Sequence, residues 1–143
     1  MSAPFRLRAR NRSPEADLQA AVATELRAYL PDGVWFTCSL SGIRLSPSVA
    51  AAAKRAGMEK GAPDLSFIWP DGQTSYIELK AQAGSLTVEQ ERLQGTLGEL
   101  FSLCRSVREV RAALAPWLIA NGLRWLSDGE SVKREMLRRA RAA

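Results

Sequence analysis

Histidine is missing altogether from these 143 residues, and cysteine occurs only twice. Those scarcities exclude much chemistry. A Ser-His-Asp triad, a Cys-His dyad and a tetrahedral His/Cys zinc site cannot be assembled from this composition. A catalytic metal would have to be held by oxygen, which favours Mg²⁺ or Mn²⁺. No apolar run approaches the ~20 residues that a membrane span needs. The early arginines are not followed by the apolar stretch of a secretory signal. A cytoplasmic protein without a membrane partner is therefore expected. Cys38 and Cys104 each sit in a short apolar segment and read as small buried hydrophobes; nothing else points to an oxidising compartment.

What is present is ordinary in amount and uneven in placement. Apolar residues make up 46% and charged residues 24%, the balance of a soluble globular chain long enough for one core. The formal charge is +5, but residues 1–12 carry four arginines and no acid, and residues 133–143 carry five bases and one acid. Each end thus contributes +4, which leaves the centre at −3. Two solvated ends would explain this. So would an enzyme that attracts a polyanion electrostatically and holds a metal with carboxylates.

One constellation stands out. Gly61-Ala62-Pro63-Asp64 precedes Glu78-Leu79-Lys80, with Pro70-Asp71-Gly72 between them. Proline presets φ at the first corner of a turn and glycine accepts the left-handed position, so a three-residue hairpin loop is predicted. Trp69 then faces Gln73, and Asp64 faces Glu78. Alternation puts Asp64, Ser66, Thr74, Tyr76, Glu78 and Lys80 on one face, and Leu65, Phe67, Trp69, Ile77 and Leu79 on the other, read as wholly apolar. A two-residue loop would send the two carboxylates to opposite faces. Paired carboxylates with an ammonium suit metal-dependent phosphodiester hydrolysis. The plainer account is a polar cross-strand cluster on a sheet surface.

Around the hairpin, Ser13 and Pro14 open a predicted helix over 14–30, and residues 34–40 read as a strand. An alanine-rich helix is expected over 47–56. Thr87 and Gln90 have the spacing of a capping box, followed by a stripe of Leu93, Leu97 and Leu100. Residues 100–105 read as a last strand, parallel to its neighbour through a crossover, followed by helices over 107–121 and from 128 to the end. The expectation is an α/β fold with a mixed central sheet flanked by helices. It divides into a basic arm (1–12), a main domain (13–126) and a basic C-terminal helix (127–143).

The ordered set Gly61-Ala62-Pro63-Asp64, Glu78-Leu79-Lys80 and Gln90 resembles the PD-(D/E)xK nuclease superfamily, and within it the virus-type replication-repair nuclease (VRR-NUC) family. The resemblance spans residues 13–118. The match departs at 40–44, where the family often has an Asn-Gly-Gly-x-Arg loop: Arg44 is present and the Asn is not. The resemblance implies a restriction-endonuclease-like core and a Mg²⁺- or Mn²⁺-dependent DNA endonuclease. A compact chain of this kind is expected to select branched, flapped or four-way-junction DNA, working as a homodimer. A non-catalytic nucleic-acid-binding module of the same fold is the alternative, and a protein-interaction factor with a basic tail is a third.

The resemblance also implies site residues. Asp64 and Glu78 would hold the metal, the Leu79 carbonyl would add a ligand, and Lys80 would orient water or stabilise charge on the phosphate. Glu15, in the first turn of its helix, matches a helix-borne acid of the family, although an acid there also complements the helix dipole. Gln90 is implied as a catalytic residue, although the capping box alone accounts for it. Arg44, Lys54, Arg55 and Lys60 are candidates for clamping the DNA backbone, with Lys54 and Arg55 equally readable as a solvated helix end. Trp117 and Trp125 fit core packing better than base stacking.

Overall fold

The computed structural model describes residues 13–39, 45–59 and 61–143. The expected basic arm, Arg44 and Lys60 lie outside them. Among the described residues the chain runs α1 (Pro14–Tyr29), β1 (Trp35–Cys38), α2 (Pro47–Arg55), β2 (Leu65–Ile68), β3 (Thr74–Leu79), α3 (Val88–Leu97), a 3₁₀ turn, β4 (Phe101–Cys104), α4 (Val107–Ala120) and α5 (Asp128–Ala142). This is an α/β fold. The sheet is mixed, in the order β1-β2-β3-β4, with β1–β2 and β2–β3 antiparallel and β3–β4 parallel.

The helices begin where the sequence supplies a hydroxyl. Ser13, Ser46, Thr87, Ser106 and Ser127 each accept a backbone N–H of the first turn. Each such cap is worth ~1 kcal/mol against alanine. Pro14 and Pro47 occupy first helical positions, where their missing N–H costs nothing.

The hairpin has the predicted register. Leu65 pairs with Ile77 and Ile68 with Thr74, so the same alignment puts Asp64 opposite Glu78. The Trp69 N–H donates to the Gln73 carbonyl at 2.9 Å, and the Gly72 N–H to the Trp69 carbonyl at 2.9 Å. Gly72 takes φ +85°, and the Asp71 carboxylate accepts the Gln73 N–H at 2.9 Å. Asn121, at the end of α4, accepts the Asp71 N–H and so ties the turn to the helical layer.

One face of the sheet carries the core. Leu65, Phe67, Trp69, Ile77, Leu79 and Cys104 meet Val22 and Leu26 of α1 and Val110, Leu114 and Leu118 of α4. Aromatic rings step through it from Phe36 to Phe67, Trp69 and Trp117, with centroids 6.1, 6.1 and 5.8 Å apart. Trp117 and Trp125 pack against this core, as expected.

The hairpin's inner face is not wholly apolar. Ser75 lies on it, buried, where its hydroxyl accepts the Trp69 indole N–H at 2.8 Å. A large ring with one polar atom needs such a partner when buried. One further expectation is corrected. Cys104 is buried, but Cys38 is exposed, because β1 is the sheet's edge strand and α1 does not cover it fully. In α3 the leucines are half-buried, and the one buried residue of the helix is Gln90.

Helix α5 is docked, not free. The Tyr29 hydroxyl donates to Asp128 at 2.8 Å, and the Leu126 N–H to the Tyr29 carbonyl at 2.9 Å. The Arg134 guanidinium donates to the carbonyls of Arg27 and Leu30. Arg134, joined at the Arg27 carbonyl by Arg138 at 3.3 Å, thus satisfies carbonyls at the C-terminal end of α1 and complements the negative end of its dipole.

Candidate active site

The approach to Asp64 depends on Gly61. This residue has φ +86°, and a Cβ built on it would lie 2.8 Å from the Glu89 Cβ. No L side chain fits both conditions, so glycine lets the loop pass against the first turn of α3. Pro63 then holds the chain extended into β2. The Ser39 N–H donates to the Asp64 carbonyl at 2.9 Å, which fixes Asp64 at the end of the β1–β2 ladder.

At that rim the two carboxylates cross over each other's strands. Asp64 Oδ2 accepts the Leu79 N–H at 2.8 Å, and Glu78 Oε2 accepts the Asp64 N–H at 3.3 Å. Lys80 Nζ lies 3.7 Å from Glu78 Oε1. Asp64, Glu78 and Lys80 are only 8%, 2% and 9% exposed. A solvated surface cluster does not describe them. Burial pushes the Glu78 carboxyl up to about 7, and the neighbouring Asp64 charge adds to this while Lys80 opposes it.

Gln90 both caps its helix and touches Glu78. Its Oε1 accepts the Thr87 N–H at 2.9 Å while Thr87 Oγ1 accepts the Gln90 N–H at 3.2 Å, completing the capping box. Its Nε2 donates to Glu78 Oε1 at 2.5 Å. Because a backbone N–H requires an acceptor, the cap fixes which end of the amide faces Glu78.

Glu15, Asp64, Glu78, Lys80 and Gln90 together line a cavity of about 130 Å³, joined by Ser13, Ala16 and Gln19. Glu15 sits exposed at its mouth. A Cβ built on Gly84 would meet Glu15 Oε1 at 3.2 Å and Lys80 Cδ at 3.4 Å, so the turn after β3 closes tightly on both. Among the described residues no three His, Cys, Asp or Glu side chains form a group able to hold a metal, so Glu15 does not join Asp64 and Glu78 in such a group. Leu79, between the two charged residues, buries its side chain in the core. Lys54 and Arg55 are exposed at the end of α2 and do not line the cavity.

Sequence reasoning missed Arg105. Its Nη1 donates to the carbonyls of Ala81 and Gly84 at 2.7 Å and of Gln82 at 3.3 Å. This clamps the turn that follows Lys80. An isolated arginine after a strand carries no pattern that announces such a contact. Compared with family models, curated proteins and solved structures, the chain matches none.

Proposed function

We propose that this protein is a Mg²⁺- or Mn²⁺-dependent DNA endonuclease built on a restriction-endonuclease-like core of the VRR-NUC kind. The observation that carries the reading is the buried Asp64–Glu78 pair at the rim of the sheet, with the Lys80 ammonium 3.7 Å from Glu78 and a cavity opening onto all three. Two carboxylates on facing strands suit a hard divalent cation, and the Leu79 carbonyl would be the third oxygen that the resemblance implies. The raised proton affinity of Glu78 is the electrostatic signature of negative charge crowded into low dielectric, which a cation would relieve. When bound, such an ion supplies Lewis-acid polarisation of a phosphate and acidification of a water.

The chain's own residues supply the rest. Lys80 holds positive charge where negative charge develops on the phosphate. Gln90 holds Glu78 in one orientation through the amide that Thr87 fixes. Arg105 keeps the turn against the Lys80 stem. Glu15 adds negative charge at the mouth. A small cavity at a sheet rim favours a structure-selective cut of branched, flapped or four-way-junction DNA by a homodimer, since symmetric cutting needs two sites.

Incubation with labelled branched, flapped and linear DNA in Mg²⁺ or Mn²⁺, beside Lys80→Ala, tests the reading. Cleavage that disappears in the variant supports it, and intact substrates from folded protein sink it. A second reading, a non-catalytic nucleic-acid-binding module, draws on both Glu78 oxygens being engaged by protein donors. Calorimetry separates the two. Mn²⁺ binding that is lost in Glu78→Gln belongs to the enzyme, and no Mn²⁺ binding belongs to the module.

A further inference from the structure

The candidate cavity is one of three concavities that adjoin along α1. The second, about 450 Å³, shares Ala16 and Gln19 with it and continues past Ala20 and Ala23 to Arg27, with Cys38 of the edge strand on its far wall. The third, about 550 Å³, shares Arg27 with the second and lies between α1 and α5. Residues 16, 20, 23 and 27 recur at helical spacing, so they mark one side of α1. From 16 to 27 the helix rises about 16 Å.

Charge changes along this line. The first concavity holds the carboxylates. The third is lined by four arginines, Arg27, Arg134, Arg138 and Arg139, against the single acid Glu135, which is paired with Arg139 at 3.0 Å. Arg134 is committed to the α1 carbonyls. Arg27, Arg138 and Arg139 are exposed; Arg138 gives one long bond to the Arg27 carbonyl at 3.3 Å, and the Arg139–Glu135 pair is open to solvent, so both guanidiniums can still meet a phosphate.

We propose that one nucleic-acid strand runs from the Asp64–Glu78 cavity along this side of α1, its phosphates held by Arg27, Arg138 and Arg139. The inference rests on the nuclease reading for the chemistry at its first end. A backbone with one charge every ~3.4 Å would set about five phosphates along the 16 Å. An acidic peptide has no reason to continue from the arginines into a cavity lined by carboxylates, whereas a phosphodiester to be cut must.

Cys38 supplies the test, because it lies midway and is exposed while Cys104 is buried. The rate at which a thiol reagent modifies Cys38 is measured in EDTA, with and without a saturating 20-nucleotide single-stranded DNA. Protection of tenfold or more is expected. Arg27→Ala/Arg138→Ala/Arg139→Ala, checked for fold by circular dichroism, should lower the slope of log affinity against log salt by about 2 and weaken binding about 100-fold at 0.1 M salt. DNA binding that leaves Cys38 unprotected overturns the path, as does an unchanged salt slope in the variant. Protection by poly-glutamate but not by DNA overturns it in favour of an acidic polypeptide. Cleavage with Mn²⁺, measured separately, distinguishes the two proposals. Cutting with Cys38 unprotected removes the path and leaves the nuclease, and protection without cutting removes the nuclease and leaves the path.

Discussion

Replacing Glu78 with Gln tests the electrostatics of the site without any substrate. In the folded protein the Glu78 carboxyl is raised from 4.5 to about 7, mainly by burial and then by Asp64. For an acid raised in this way, the cost of its charge is absent while both states are protonated, grows from pH 4.5 to about 7, and is complete above that. The full cost is about 3 kcal/mol. Glutamine removes it. The amide oxygen can still accept from Gln90, but its NH₂ then meets the Asp64 N–H, and that 3.3 Å hydrogen bond is lost at ~1 kcal/mol. In EDTA at pH 8, Glu78→Gln should therefore be more stable than the wild type by about 2 kcal/mol, or roughly 5–10 °C in Tm. At pH 4 the sign reverses, and the variant is less stable by ~1 kcal/mol. Thermal unfolding followed by circular dichroism across this range reads both values. A variant less stable by the same margin at pH 4 and pH 8 would refute the reasoning, because it would mean that Glu78 ionises at an ordinary pH and gains from Lys80 all that it loses to burial. Adding Mn²⁺ at 100 times its Kd should restore the wild type by about 2.7 kcal/mol and leave the variant unmoved.

Three further outcomes are expected. Lys80→Ala should lower cleavage by about 100-fold or more while Mn²⁺ binding persists, since the amine acts on the phosphate and not on the ion; calorimetry beside single-turnover kinetics checks this. Gly61→Ala should destabilise by about 1–3 kcal/mol in urea unfolding, because alanine is strained at φ +86° and its Cβ would strike Glu89. Arg105→Ala should free the turn after Lys80, read as faster hydrogen exchange at the Gly84 amide, which donates to the Ala81 carbonyl, together with a fall in kcat larger than the change in KM.

Much of the architecture was legible because it is local. Pro70-Asp71-Gly72 specifies a three-residue loop, and loop length alone sets the register that faces Asp64 with Glu78. The Thr87–Gln90 spacing specifies a cap. The element order and the parallel last strand follow from periodicity and connection length. Cys38 was misread because residue type predicts burial only if something covers the strand, and edge position is not written in four residues. Ser75 went unremarked because its partner, an indole N–H, becomes a demand only once Trp69 is buried. The departure of the 40–44 stretch from the family pattern concerns residues that the structure does not describe.

By itself the sequence determined that any metal would be held by oxygen, that two carboxylates share one sheet face, and that the helices start where they do. Short-range geometry governs each of these. Tertiary structure alone decided that Glu78 and Lys80 are withdrawn from water, that one amide serves both the α3 cap and the carboxylate, that Arg105 reaches back to the turn after β3, and that α5 closes an arginine-lined groove against α1. Desolvation and long-range contact depend on which elements come to cover a residue, and that is fixed only when the whole chain has packed.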